Sequence, residues 1–168
     1  GKVFLFERLM KNKTFRNQWI NRMCDYLNTG FKAENVTSLV NQITSRIEIE
    51  VNRDRERWQD SMLYIQKGER IKWIKDYAIQ RPQFIREHII DYFELENGIS
   101  DIQVVQNINM GHVKINSIEI KESFWTGKYI ENIPIQIEAI PNEGYVFEKW
   151  KSQRLPHEPL IKVKTKIA

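Results

Sequence analysis

Cysteine, histidine and long apolar runs are scarce in this sequence of 168 residues, and each shortage excludes a class of protein. Cys24 is the only cysteine, so the chain can form neither an intrachain disulfide nor a zinc site built from thiolates. The three histidines are widely separated and lack the spacing of paired metal ligands, which argues against a metal site. No apolar stretch approaches the roughly 20 residues that span a bilayer, so no transmembrane segment is expected.

Sequence motifs that mark catalysis are also missing. The glycines form neither a GxGxxG pattern nor a Walker loop, and no GxSxG nucleophile motif is present. Cys24 falls on a predicted helix among large apolar residues, which favours a core position over a reactive thiolate. The sequence therefore predicts no catalytic, cofactor-binding or metal-binding residue in this chain.

The distribution of charge does not indicate a nucleic-acid partner. The formal net charge is +4, but residues 1–95 hold 17 Lys and Arg against 13 Asp and Glu, whereas residues 96–168 hold 9 of each. The most basic run, residues 53–57, alternates in sign (RDRER), so it forms no continuous stripe that could follow phosphates. We therefore expect no nucleic-acid binding, and the uneven charge indicates two structural units.

Residues 1–95 are predicted to form a helical subdomain of about five helices, because apolar residues recur there every three or four positions. One such stripe consists of Phe15, Trp19, Met23, Tyr26 and Leu27. Thr14 and Asn35 are the predicted N-caps of the second and third helices. Arg81-Pro82 is predicted to end one helix and begin the last, because proline disfavours a helical residue before it and suits a first turn.

Residues 96–168 are predicted to form a small antiparallel β-sandwich, which makes the whole chain an α+β protein. Apolar and polar residues alternate there, and isoleucine is far more frequent than leucine, as suits a pleated surface. Residues 109–111, 126–127 and 142–144 have the composition of turns. Pro134 falls inside a strand pattern, which favours a strand start or an edge strand. The predicted domains are therefore residues 1–95 and 96–168.

Aromatic residues close to the predicted turns are the candidate ligand-binding residues of the β part. They are Trp125, Tyr129, Tyr145 and Trp150. Rings held on a small β-domain can stack on sugar faces or anchor a protein partner. The alternative is that large rings such as Trp125, Phe147 and Trp150 form the main core of a domain otherwise built from isoleucine. Residue patterns alone leave both interpretations open.

Residues 15–29, FRNQWINRMCDYLNT, resemble a segment of the CotH kinase family, the relatives of spore coat protein H. The family pattern FRxxFxxRxxDLLNT differs at Trp19, where phenylalanine is usual, and at Met23-Cys24, where small residues are usual. The resemblance continues in order through Arg57-Trp58 and Arg81-Pro82 and covers roughly residues 3–95. It implies that these helices form the C-terminal end of an atypical kinase domain, within its C-lobe.

Residues 111–150 resemble a β module that follows such domains and occurs in bacterial surface repeats. Shared positions include Trp125-Thr126-Gly127 and Gly144-Tyr145, and Phe124 stands where proline is usual. This resemblance implies a secreted or cell-surface bacterial protein, and related domains occur in cellulosome-associated proteins. The chain begins with glycine and shows no signal pattern, which predicts an artificial boundary or a processed N-terminus.

Together the two resemblances imply a function. The chain is expected to be a non-catalytic C-terminal fragment of a CotH-like atypical protein kinase, because the ATP- and metal-binding acids of the family lie upstream of the matching residues. ATP and a divalent metal are then expected only in the complete parent domain, whose upstream kinase-like lobe is the expected partner. The alternative is a carbohydrate- or protein-binding module of a surface or cellulosome-type protein that uses the β-domain aromatics.

Overall fold

A computed structural model of the chain describes residues 4–58, 61–96, 98–152 and 155–164. These residues form four helices followed by six strands, so the predicted α+β class is confirmed. The helices are α1 (Phe4–Lys11), α2 (Lys13–Asn28), α3 (Ala33–Trp58) and α4 (Ser61–Tyr92). The strands are β1 (Ile99–Val105), β2 (Gly111–Ile115), β3 (Ile118–Ile120), β4 (Phe124–Ile130), β5 (Pro134–Pro141) and β6 (Leu160–Lys164). Val3 and Asn97, predicted to lie in the first helix and at the domain junction, fall outside the described residues.

The N-caps of α2 and α3 differ from the predicted ones. The backbone N–H of Phe15 donates to Oδ1 of Asn12 at 3.1 Å, so Asn12 caps α2 in place of Thr14. α3 begins at Ala33, which puts Asn35 inside its first turn. Asn35 Nδ2 donates to the carbonyl of Thr29 at 2.7 Å and so fastens the preceding turn. The prediction of Thr14 and Asn35 as N-caps is therefore wrong.

α4 is one continuous helix where the sequence predicts two helices. Pro82 lies inside it, and an interior proline removes a backbone hydrogen bond at a cost of about 3 kcal/mol. Ala78 and Arg86, one turn to either side, are both buried, and Arg86 Nη1 donates to the carbonyl of Pro82 at 3.0 Å. The predicted break at Arg81-Pro82 is wrong because burial on both sides of the proline holds the helix together.

The strands form two antiparallel sheets, one of order β3-β2-β5-β6 and one that pairs β1 with β4. The alternating pattern read from the sequence places isoleucine side chains in the core. The buried isoleucines of the strands and adjoining turns are Ile115, Ile118, Ile120, Ile130, Ile133, Ile135, Ile137 and Ile161. β5 begins at Pro134 and lies between β2 and β6, which confirms the prediction of a strand start. Proline has no N–H to donate to a neighbouring strand, so the first residue of a central strand is the position where it disrupts the hydrogen bonds of the sheet least.

β4 is the strand that the sequence does not predict. The sequence predicts a turn at Thr126-Gly127, but both residues pair with β1, Thr126 opposite Gln103 and Gly127 opposite Ile102. The ring of Trp125 lies on the same face as Gly127 and covers it: a Cβ at residue 127 would overlap Cη2 and lie 2.7 Å from Cζ2 of the ring. Gly127 is therefore present to make room for the tryptophan, and the turn prediction is wrong.

The chain divides into two compact units. One unit contains the residues up to Asp25 together with those from Ile89 onward, and the other runs from Tyr26 to His88. The first unit thus combines the start of the chain with all the strands named above. The domain boundary predicted between residues 95 and 96 follows the change from helix to strand, and it stays a prediction.

We predict that Gly127→Ala lowers the free energy of unfolding by about 1–3 kcal/mol, because the added methyl group must displace the Trp125 ring. Gly68→Ala is the matched control: apart from the adjoining residues and backbone of its own helix, no atom of the described side chains and backbone lies within 4 Å of its added Cβ, and Gly68 is inside α4. The control is expected to raise stability by roughly 0.5–1 kcal/mol, because alanine has the higher helix propensity. Urea unfolding followed by tryptophan fluorescence measures both changes, and a neutral Gly127→Ala contradicts the tight contact.

Candidate functional site

The carboxylate of Asp25 is the most heavily hydrogen-bonded acidic group among the described residues. Asp25 lies in α2 and is only 2% exposed. Tyr129 Oη donates to Oδ1 at 2.8 Å, and Asn116 Nδ2 donates to the same oxygen at 3.3 Å. Ser117 donates twice to Oδ2, from Oγ at 2.5 Å and from its backbone nitrogen at 3.2 Å. One helical carboxylate thus binds donors from the β2–β3 turn and from β4.

The β2–β3 turn has the geometry that brings two of these donors together. Asn116 has a φ of 48°, in the left-handed region that asparagine tolerates better than most residues. Its backbone N–H donates to the carbonyl of Gln136 and its Oδ1 accepts from the N–H of Gln136, both at 2.8 Å. The turn is therefore fastened to β5, and Nδ2 of Asn116 and the N–H of Ser117 are free to reach Asp25.

A second contact lies one helical turn before Asp25. Nδ2 of Asn21, which is 8% exposed, donates to the carbonyl of Pro134 at 2.7 Å. Residues four apart on a helix share a face, so Asn21 and Asp25 contact the β part side by side. Asn21 satisfies the carbonyl at the first residue of β5, while Asp25 holds the nearby turn. We call Asn21, Asp25, Asn116, Ser117 and Tyr129 the α2–β cluster.

The chemistry of the α2–β cluster is structural. A carboxylate has about four lone-pair sites, and at least four protein donors point at Asp25. A buried charge is tolerated only when it is compensated in this way, because burial without partners costs several kcal/mol. Asp25 is closed to solvent, and both of its carboxylate oxygens accept hydrogen bonds from the β part. Its role is to position α2 against the strands.

The buried face of α2 differs from the apolar stripe predicted for it. Phe15, Trp19 and Met23 are only half-buried, and Tyr26 is 43% exposed. The buried residues of the helix are Ile20, Asn21, Cys24, Asp25, Leu27 and Asn28. Of the predicted stripe only Leu27 is buried, because the inner face of the helix carries Ile20 and Cys24 together with the polar residues Asn21, Asp25 and Asn28. The core position predicted for Cys24 is confirmed.

Two of the four predicted ligand-binding aromatics lie in the core. Trp125 is 8% exposed, with its ring over Gly127, and Tyr129 is fully buried with its hydroxyl on Asp25. In the folded chain their rings are used for packing and for the α2–β cluster.

The other two predicted aromatics follow β5 and are accessible. Tyr145 is 46% exposed, and Trp150 is half-buried with its ring centroid 5.1 Å from that of Phe147. Trp150 Nε1 donates to the carbonyl of Glu158 at 2.9 Å, which fixes the indole against the segment before β6. The structure therefore does not gather the four residues into one surface. Ligand binding by Trp125, Tyr129, Tyr145 and Trp150 stays a prediction.

Neither a metal-binding cluster nor a membrane-spanning helix occurs among the described residues. No group of three or more His, Cys, Asp or Glu side chains in the described part of the chain is arranged to hold a metal ion. None of the four described helices is both long enough and apolar enough to cross a membrane.

Comparison with known proteins identifies the family. The model of the CotH kinase protein family matches residues 1–85, which is half of the chain and includes the block of residues 15–29 described above. The matched stretch contains α1 to α3 and most of α4, the helical part of the fold. This chain belongs to the CotH kinase protein family. No curated protein and no solved structure matches it significantly. The likeness of residues 111–150 to a bacterial surface-repeat module stays a prediction.

We predict that Tyr129→Phe lowers the free energy of unfolding by about 1.5–3 kcal/mol, because it removes a buried hydrogen bond to a charged acceptor. Asp25→Ala is expected to cost more, about 3–5 kcal/mol, since it leaves several buried donors without an acceptor. The double variant measures the coupling energy, which is the difference between its loss of stability and the sum of the two single losses. Because the two groups are in direct contact, we expect a coupling energy of more than about 1 kcal/mol.

Asp101→Ala is the matched control for these variants. Asp101 pairs with Lys128 at 3.0 Å, but the side chains are 60% and 56% exposed. Exposed ion pairs contribute roughly 0–1 kcal/mol, so the control should leave stability nearly unchanged. Additive losses from Asp25→Ala and Tyr129→Phe in the double variant would contradict the direct bond.

Proposed function

We propose that this chain is the non-catalytic C-terminal part of a CotH-like atypical protein kinase, in which the helices complete the C-lobe and α2 carries an accessory β module. The single observation that supports this is the place of Asp25. Asp25 lies in the stretch matched by the family model, within the block of residues 15–29 whose resemblance to the family pattern is described above. Its donors lie outside that stretch, in the β part. A helix of the family-matched stretch, α2, thus binds the β part that follows that stretch.

The mechanical consequence is a β module with a fixed orientation on α2. Asn21 and Asp25 contact the β part at two places, the start of β5 and the β2–β3 turn. Two contacts one helical turn apart prevent rotation about either one. A kinase lobe that carried this module would present it to a target in one orientation, which is the role we assign to it.

Phosphoryl transfer is assigned to the complete parent protein and not to these residues. Magnesium in kinase sites is held by accessible carboxylates together with the phosphates of the substrate. Asp25, a buried acid of the matched stretch, already binds protein donors and is closed to solvent. ATP and a divalent metal would bind an upstream kinase-like lobe, which is the proposed partner of the helices.

The proposed location is extracellular or on the surface of a bacterial cell, from the likeness of the β part to surface modules. The alternative of a carbohydrate- or protein-binding module that relies on the β-domain aromatics is less well supported. Trp125 and Tyr129 are buried, so two of its four residues are not exposed to a ligand.

The test is phosphate incorporation from radiolabelled ATP with Mg²⁺ or Mn²⁺, measured for this chain alone and for the full product of its gene. We expect no autophosphorylation of the 168-residue chain and no transfer to casein, but incorporation by the full product. Stoichiometric labelling of the chain alone contradicts its non-catalytic assignment. An inactive full product that binds no nucleotide contradicts the kinase assignment of the parent.

A further inference from the structure

The stretch matched by the family model buries few of its large apolar side chains. Among the described residues up to position 85, three such side chains are buried and sixteen are exposed. Among the described residues after position 85, thirteen are buried and eight are exposed. Burial of apolar side chains is the main force that holds a domain together. The second part of the chain therefore has a core of its own, and the described residues of the matched stretch leave most of their large apolar side chains uncovered.

The helix α3 shows this most clearly. None of its described side chains is buried, although the helix is 26 residues long. Leu39, Ile43 and Ile47 recur on one side of it at a spacing of four residues, and we call them the α3 stripe. Their exposed fractions run from 44% to 55%. Helices in proteins obtain most of their stability from packing an apolar face against another element, so the α3 stripe is a face that needs a cover.

The helix α4 is packed on one side only. Ala78 and Arg86 are buried on that side. Trp73, Tyr77 and Phe84 lie on the opposite side, within about 40° of one another around the helix axis, and we call them the α4 stripe. Their exposed fractions are 70%, 52% and 47%. A helix with apolar residues on its outer as well as its inner side is ordinarily buried within a larger protein.

The α4 stripe is already ordered for contact with a partner. The ring centroids of Trp73 and Tyr77 are 6.2 Å apart, and Cζ of Arg81 lies 5.7 Å from the centroid of the Tyr77 ring. These contacts restrain large side chains without burying them, which lowers the entropy cost of binding. Trp, Tyr and Arg are also the residues that contribute most of the binding energy at protein interfaces. The α4 stripe therefore has the composition of the centre of an interface.

The charge of these helices indicates what kind of partner fits them. Residues 33–92, which include α3 and α4, hold ten Lys and Arg and ten Asp and Glu. With no net charge, they have no electrostatic preference for a polyanion such as a nucleic acid or an anionic membrane surface. Recognition by the two stripes is therefore apolar, and the partner that fits them is a protein face of the same character.

We propose that the α3 stripe and the α4 stripe form the surface on which the upstream kinase-like lobe of the parent protein packs, with Trp73 and Tyr77 at the centre of the contact. This inference rests on the proposed function, which assigns the helices to the C-lobe of that kinase. The uncovered apolar residues are concentrated in the stretch matched by the CotH kinase protein family, and the residues after it have their own core. That distribution is expected where the kinase domain continues beyond the helices.

Cysteine labelling tests which residues the parent protein covers. Cys24, the one cysteine of the sequence, is buried, so a cysteine introduced at the surface is the reactive one in this chain. Gln80→Cys reports on the α4 stripe, because Gln80 is exposed two turns after Trp73, and the change removes no ring. Ile43→Cys reports on the α3 stripe. Val146→Cys is the control, since Val146 is 90% exposed and lies outside the matched stretch.

Each variant is treated with a maleimide reagent, as this chain alone and as the full product of its gene, and the labelled peptides are quantified by mass spectrometry. We expect Gln80→Cys and Ile43→Cys to react at least about tenfold more slowly in the full product, because a covered thiol reacts only when the contact opens. Val146→Cys should react at the same rate in both. Circular dichroism verifies that each variant folds.

Three outcomes overturn the proposal. The first is equal labelling of Gln80→Cys and Ile43→Cys in the chain alone and in the full product. The second is protection in the chain alone that grows with its concentration, because a second copy would then cover the helices. The third is equal protection of Val146→Cys, since the cover would not be specific to the stripes.

The labelling does not depend on phosphoryl transfer, so the proposed function and this inference fail separately. An inactive full product in which Gln80→Cys is protected refutes only the kinase assignment. An active full product in which Gln80→Cys stays reactive refutes only the packing of the lobe on these stripes.

Discussion

The structure depends on one buried charge, the carboxylate of Asp25, and on the donors that compensate it. A carboxylate taken out of water is costly, and it is stable in the core only while its partners stay in place. Ser117 and Tyr129 come from different strands and turns, so the helix and the β part must be ordered together for the charge to be satisfied. The interaction therefore constrains the fold. If α2 rotated or the β2–β3 turn opened, Asp25 or one of its donors would be left without a hydrogen-bond partner.

Much of the architecture could be predicted from hydrophobic period. The change from a period of three or four to a period of two distinguishes the helical part from the β part, and both exist as expected. The errors came where tertiary contacts override local preference. Pro82 remains inside α4 because Ala78 and Arg86, one turn to either side, are buried, and Gly127 belongs to a strand because the Trp125 ring lies over it. Neither effect can be deduced from composition, since proline and glycine are ordinarily signs of a break or a turn.

The candidate site was less predictable than the fold. Asp25 belongs to the segment that resembles the CotH family, but a lone acid on an amphipathic helix ordinarily indicates a solvated face. The available signal was the pair of polar residues Asn21 and Asp25, four positions apart on the side that also carries Cys24. Their burial becomes intelligible only with their partners, which lie about 90 residues or more further along the chain. The large rings of the β part also led to a wrong expectation of exposure. Tyr129 was a candidate ligand-binding residue, but its ring is buried and its hydroxyl donates to Asp25.

The family match and the α2–β cluster meet in one helix, and this is the central claim about the molecule: a helix of a CotH family segment is folded as one unit with the β part. Native-state hydrogen exchange tests it most directly. The amides of α2 around Asp25 and those of β2 and β4 should open with a common free energy in the unmodified chain. In Ser117→Ala that common value should fall for both elements together. If α2 exchanges independently of the strands, or if only the turn loses protection in the variant, the helix and the β part are not one folded unit.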